Sequence, residues 1–252
     1  MQLSGNTIFI TGGGSGIGRG LAEALHKLGN KVIISGRRRG HLNAVIAANP
    51  GMEAIELDIT DPVSIERAAV KLIADHPELN VLINNAGIMQ PDTVAGKIDD
   101  ALLTSTIDTN LLGPIRMTSA LIEHLKTRKN AVVAYTSSVL GFVPLAVSGI
   151  YSSTKAALHS YALSQRFMLR NTSVRVLEIA PPWVRTELMN SQEAGEAMPL
   201  DQFIAEAVAI LGTDADEIVV DAAKQFRANV GPNEHGLVNG FNEHALTLFG
   251  GA

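Results

Sequence analysis

Short apolar runs alternate along this chain with longer segments in which apolar residues recur every three or four positions. Thr7–Ile10, Lys31–Ser35, Ala54–Leu57, Val81–Ile83, Ala131–Thr136 and Val174–Ile179 are short and rich in Val and Ile. That is the pattern of strands buried on both faces. Between them, Ile17–Leu28, His41–Ala48, Val63–Ala74, a stretch from about Ala101 to Leu125 and one from about Tyr151 to Leu169 carry a helical period. Strand then helix, repeated, predicts a Rossmann-type α/β fold. Its doubly wound parallel sheet would have six or seven strands, with helices on both faces. Asp201–Leu211 and Asp216–Ala228 also read as helices, whereas Gly231–Gly240 is glycine-rich and the rest of the tail is weakly patterned. No linker or internal repeat interrupts the pattern, so the expectation is a single domain over all 252 residues.

Composition narrows the chemistry more than the fold. The net charge of −5 argues against nucleic acid as a partner. With no cysteine, the chain has no thiol nucleophile, disulfide or Cys-ligated metal. The histidines at 26, 41, 76, 124, 159, 235 and 244 fall in no ligand spacing, so they read as surface residues and no metal is expected. No apolar run approaches the ~20 residues of a membrane span. Met1–Asn6 lacks the features of a signal peptide, which makes the cytoplasm the default location.

Thr11-Gly-Gly-Gly-Ser-Gly-Ile-Gly18 follows the first strand and opens the first helix. Glycines there allow a tight turn and bring backbone N–H groups of a helix N-terminus close to a pyrophosphate. The spacing departs from Gly-x-Gly-x-x-Gly, and the Gly-Lys-Ser/Thr ending of a nucleotide-hydrolysing loop is absent. Gly12, Ser15, Gly16, Ile17 and Gly18 are therefore candidate cofactor contacts. The second strand ends at Gly36-Arg37-Arg38, where a carboxylate would bind the ribose of NAD. Guanidinium groups there suit the 2′-phosphate of NADP, the bland alternative being a solvated helix start. Asp58-Ile59 after the third strand and Asn85-Ala86-Gly87 after the fourth fit an adenine contact and a turn packed on the ribose.

Tyr151 and Lys155 stand four residues apart, so on a helix their side chains share a face. A neighbouring cation favours the phenolate, bringing the tyrosine from its reference pKa of ~10 toward use as a general acid or base. Such a pair also arises by chance on amphipathic surface helices. Taken with Thr11–Gly18, Asp58, Asn84–Gly87, Asn110, Ser137-Ser138 and Pro181–Thr186, it makes residues 1 to 190 resemble the short-chain dehydrogenase/reductase family. Ala180-Pro-Pro-Trp-Val-Arg-Thr-Glu-Leu188 and Ala197-Met-Pro-Leu200 are most similar to its DltE-like oxidoreductases. The resemblance implies a tetrad. Tyr151 would be the acid/base, and Lys155 would hold the phenolate and bind the nicotinamide ribose. Ser138 would hydrogen-bond the substrate oxygen, and Asn110 would position a water linking Lys155 to solvent. Val184 and Thr186 become further cofactor contacts.

The expected activity is NADP-dependent interconversion of a carbonyl and an alcohol on a small to medium, largely apolar molecule, with NADP(H) preferred over NAD(H). A catalytically silent NADP(H) sensor is the rival. Met89, Leu140, Phe142, Trp183, Leu188, Met189 and Met198 are candidate apolar pocket residues. Glu187–Leu200 reads as a mobile lid, within a lid and C-terminal helical region spanning about residues 187–230. Where the family usually has Pro-Gly the chain has Pro181-Pro182, which stiffens that loop. Gly236–Ala245 lacks the family's usual final strand, so a homodimer through the long helices at Ala101 and Tyr151 is expected more than a tetramer.

Overall fold

A computed structural model describes residues 1–228 and 234–249 of the protein. Seven strands form one sheet: β1 (Thr7–Thr11), β2 (Lys31–Gly36), β3 (Glu53–Glu56), β4 (Val81–Asn84), β5 (Ala131–Thr136), β6 (Val174–Ile179) and β7 (Glu217–Ile218). Their order is β3-β2-β1-β4-β5-β6-β7 and every pairing is parallel. The strand order reverses between β1 and β4, and in such sheets ligands bind at the carboxyl ends beside that point.

The connecting helices are α1 (Gly16–Lys27), α2 (Arg39–Ala48), α3 (Pro62–Asp75), α4 (Asp100–Ile107), α5 (Gly113–Lys126), α6 (Gly149–Leu169), α7 (Leu200–Leu211), α8 (Lys224–Arg227) and α9 (Glu234–Phe249). Alternation along the strands divides the core in two. Ile8, Ile10, Val32 and Ile34 pack on one face with Leu21 and Leu25 of α1 and Phe203 of α7. Phe9, Ile33, Leu82 and Val133 pack on the other with Leu72 of α3, Leu121 of α5 and Leu158 of α6. Among the described residues no helix is long and apolar enough to cross a membrane.

Three expectations are corrected. The stretch from Ala101 to Leu125 is two α-helices joined by a π-helical turn, Asp108–Leu112. Pro114 has no N–H to give the Asn110 carbonyl, so the regular ladder cannot run through, and Gly113 N donates instead to Asp108 O. The helix expected over Asp216–Ala228 is replaced by β7, a 3₁₀ turn and the four-residue α8. Ile218 and Val220 are fully buried, and the edge strand beside β6 pairs the backbone of Glu217 and Ile218. Finally, the weakly patterned tail is helical from Glu234 despite Gly236 and Gly240; the expectation for Gly231–Gly240 lies outside the described residues at 231–233.

Candidate active site

The glycine turn at the end of β1 is built by close packing against the loop after β4. Gly12 and Gly16 take left-handed φ angles of 69° and 52°. A Cβ on Gly12 would lie 2.8 Å from Ala86 Cα, and one on Gly18 would lie 2.3 Å from Asn85 Nδ2. Thr11 Oγ1 accepts from the N–H groups of Asn85 (3.0 Å) and Ala86 (3.1 Å), while Asn85 Nδ2 donates to Thr11 O at 3.2 Å. Ser15 stands at the N-cap of α1 but makes no side-chain cap, so it leaves the helix N–H groups unclaimed by its hydroxyl. It instead accepts from Arg38 Nη2 at 3.4 Å.

This turn forms one wall of a cavity of about 1520 Å³ that runs along the carboxyl ends of the strands. Arg37 and Arg38 stand at one end, and Tyr151 and Lys155 line it further along. Two hydroxyls of cavity-lining residues, Ser35 Oγ and Thr136 Oγ1, are buried without a hydrogen-bond partner in the chain. Buried polar atoms without partners are costly, and a bound polar ligand relieves that cost. The close-packed glycine turn, these hydroxyls and the guanidinium groups suit a phosphorylated dinucleotide.

At the other end lies a cluster of reactive groups. Asp92 holds the N-terminus of α6, accepting from Gly149 N (3.1 Å) and Ile150 N (2.9 Å). One turn further, Tyr151 and Lys155 are both buried, and Lys155 Nζ lies 5.4 Å from the centre of the Tyr151 ring. The ammonium donates to Thr136 O at 2.8 Å. Burial pushes the Tyr151 pKa up to about 12, opposed by a hydrogen bond with Ser138. Burial brings Lys155 down to about 8, opposed by the negative charge of Glu178. For the tyrosine the direction is set by desolvation, with the Ser138 hydrogen bond working against it.

Ser138 caps a 3₁₀ turn, accepting from Leu140 N at 3.1 Å. Gly141 lets that turn lie on α6, since a Cβ there would meet the Lys155 carbonyl at 3.0 Å. Ser137 points elsewhere and donates to Glu178 Oε1 at 2.5 Å. Asn110, in the π turn, is clamped to Ile88: its Oδ1 accepts from Ile88 N and its Nδ2 donates to Ile88 O, both at 2.8 Å. Gly87 brings it near Lys155, because a Cβ there would lie 3.4 Å from Asn110 Oδ1 and 3.7 Å from Lys155 Nζ.

Residues 6–197 match the short chain dehydrogenase family. The chain belongs to that family. This short chain dehydrogenase is 39% identical over 189 residues to an uncharacterized oxidoreductase, DltE, of Bacillus subtilis (strain 168), with 75% of each chain covered. It is 29% identical over 228 residues to the 3-oxoacyl-[acyl-carrier-protein] reductase FabG of Escherichia coli (strain K12), covering 85% of this chain and 92% of that one. Its fold is similar to a short chain dehydrogenase from Burkholderia cenocepacia J2315 in complex with NADP, with a TM-score of 0.83 and 26% identity over 94% of this chain and 97% of that one.

In this short chain dehydrogenase Gly12, Ser15, Gly16, Ile17, Arg37, Arg38, Ile59, Asn85, Ala86, Gly87, Ser138, Tyr151, Lys155, Val184 and Thr186 all line the cavity. Gly18 is buried and packs against Asn85 and the Gly12 carbonyl. Asp58 Oδ1 accepts from Thr60 N (3.0 Å) and Thr60 Oγ1 (2.8 Å), and the wall there is formed by Leu57, Ile59 and Thr60. Met89, Leu140, Trp183, Leu188, Met189 and Met198 line the apolar part. Phe142 does not; it packs edge-on against His159 with ring centres 5.0 Å apart. The histidines are not uniformly at the surface either. His76 is buried, and His159 Nδ1 lies 2.7 Å from Glu178 Oε2.

Within Glu187–Leu200 the Ser191 hydroxyl lies 3.1, 3.2 and 2.9 Å from the Val184, Thr186 and Leu188 carbonyls. Arg185 donates to the Ala194 and Gly195 carbonyls, both at 2.9 Å. The sequence reading missed α9, which supplies Leu237, Phe241, Ala245 and Leu248 to the cavity wall. Their spacing of four, four and three residues was a helical signal in itself. Asp92 had no such signal, since it acts on residues 57 and 58 positions away.

Proposed function

We propose that this protein is an NADP-dependent oxidoreductase that interconverts a carbonyl and an alcohol on a small to medium, largely apolar substrate. The observation that carries the reading is the meeting of Tyr151, Ser138 and Lys155, buried together on the wall of a cavity whose other end holds Arg37 and Arg38. When bound, the nicotinamide supplies the hydride. Arg37 and Arg38 would receive the 2′-phosphate, and the Thr11–Gly18 turn would hold the pyrophosphate.

Tyr151 gives its phenolic proton to the carbonyl oxygen in reduction and takes it back in oxidation. A pKa raised to about 12 keeps it protonated, which suits the acid role. Lys155 would stabilise the phenolate left behind and hold the nicotinamide ribose. Ser138 orients the substrate oxygen, and Asn110 holds the loop at Ile88 beside Lys155. Trp183, Leu188, Met189 and Phe241 give the substrate end of the cavity its apolar surface. We read the chain as one domain in which the described residues 187–228 cover the substrate, acting in the cytoplasm as a homodimer. A silent NADP(H) sensor has no use for a buried tyrosine, serine and lysine meeting at one point.

A screen of aldehydes and ketones, following NADPH absorbance, tests the reading with Tyr151→Phe as control. Turnover on at least one carbonyl is expected, abolished by the substitution while NADPH affinity changes little. Undiminished turnover in the variant removes the tyrosine from the mechanism, and tight NADPH binding with no turnover on any carbonyl favours the sensor.

A further inference from the structure

Beneath the active site, on the far side of Ser137, lies a fully buried carboxylate that the mechanism above does not use. Glu178 on β6 has no exposed surface. Its Oε1 accepts from Ser137 Oγ at 2.5 Å, and its Oε2 lies 2.7 Å from His159 Nδ1. Ser137 sits between Thr136, whose carbonyl accepts from Lys155, and Ser138. His159 follows Lys155 by four residues, as Lys155 follows Tyr151, so the three occupy one stripe of α6. Glu178 therefore joins the end of β5, the middle of α6 and β6 at one point.

The surroundings close this site off. Glu217, paired in register with Glu178, has both oxygens bound by Arg227, at 2.6 and 3.0 Å. Arg227 also lies 5.0 Å from the centre of the Phe142 ring, which packs on His159. Arg166 reaches Asp216 at 3.9 Å, and the Asp216 carbonyl accepts from Glu178 N at 2.9 Å. The charged and titratable groups around Glu178 are thus Lys155, His159 and Arg166 on α6, Asp216 and Glu217 at β7, and Arg227 on α8. His159, Glu178 and Glu217 do offer ligand atoms within 4.8 Å of one another. Arg227, Ser137 and His159 already engage those carboxylate oxygens, so a cation would have to displace good partners.

We propose that Glu178 is a positioning residue for the reaction: it is the buried counter-charge to Lys155 and the brace that sets Ser138 against α6, with His159 holding its carboxylate in place. A buried carboxylate is stable only when paired and hydrogen-bonded, and both conditions are met here by groups adjoining the active residues. Without it, the buried ammonium keeps, among the described residues, the Thr136 carbonyl and the Tyr151 ring as partners. The direction of the Lys155 shift agrees, since Glu178 opposes the lowering that burial imposes.

The inference rests on the acid/base reading of Tyr151 and Lys155, so its test has a readout that needs no substrate. In the full-length protein, the titration of the Lys155 side chain is followed by carbon NMR, assigned with Lys155→Arg. The pH profile of kcat/KM is followed alongside. Glu178→Gln is expected to lower the Lys155 midpoint by about one pH unit, the lower end of what one nearby opposite charge does. The alkaline limb of activity should move with it, and kcat should fall more than KM rises.

His159→Leu, which leaves Oε2 without its partner, should shift both in the same direction, and His159→Asn, which keeps a donor there, should restore them. Because His159 is partly exposed, its variants carry the test if Glu178→Gln does not fold. Unshifted midpoints in the folded variants overturn the proposal. A shifted midpoint with no carbonyl turned over upholds the counter-charge and sinks the acid/base reading. Normal turnover with an unshifted midpoint does the reverse.

Discussion

Adjacent serines illustrate what single residues decide here. Ser137 and Ser138 are neighbours in sequence, yet one binds Glu178 beneath the site and the other caps the turn beside Tyr151. Successive residues leaving an extended strand point to opposite sides, so only one can face the cavity. Arg37 is a similar case in the cofactor half. It lines the cavity, and its charge lowers the Asp58 pKa, though less than the Thr60 hydrogen bonds do. A charge-assisted contact to phosphate is worth ~1.5–3 kcal/mol. Arg37→Ala should therefore weaken NADPH binding by roughly ten- to a hundredfold, with little change for NADH, as fluorescence titration would read. Equal losses for the two cofactors would remove the 2′-phosphate assignment.

At the scale of elements, the site is assembled from helix ends and turns fixed by partners distant in sequence. Asp92 caps α6, Gly141 admits the 3₁₀ turn onto it, and the π turn before α5 places Asn110 at Ile88. The C-terminal helix α9 is attached in the same way. Asn242 Oδ1 accepts from Ala146 N, its Nδ2 donates to Pro144 O at 3.0 Å, and Phe241 packs edge-on against Phe226. Residues 144–146 lie between Ser138 and Tyr151, so this one side chain ties the apolar wall to the reactive segment. Losing two hydrogen bonds of ~1 kcal/mol each should loosen that wall. For Asn242→Ala, KM should rise roughly tenfold for bulky apolar carbonyls and little for small ones, with NADPH affinity kept. Equal KM changes across substrate sizes would show that the helix does not contact the substrate.

For the whole molecule, the exposed side of α6 bears on assembly. Leu163, Phe167 and Met168 expose 43%, 62% and 73% of their surface, an unusual cluster for a buried-core helix. A homodimer through this face would cover it, giving twice the 26.7 kDa chain mass by light scattering. Phe167→Glu should then shift the population to monomer without loss of NADPH binding. A stable tetramer, or a wild-type monomer, would count against the dimer.

Periodicity alone was enough for six of the seven strands and for α1, α2, α3, α6 and α7, because the inner strands, buried on both faces, leave a continuous Val/Ile signal. The glycine turn and the Tyr151–Lys155 pair were legible because each leaves a short spacing pattern in the chain, although the turn itself is packed on the distant loop after β4. What the tertiary structure decided involves partners far apart in the chain or rests on solvation. The edge strand β7 exists through its pairing with β6. Asp92, Glu178 and α9 reach the site from distant segments. Burial pushes the Tyr151 pKa up and the Lys155 pKa down, and depth of burial is something that spacing along the chain cannot express.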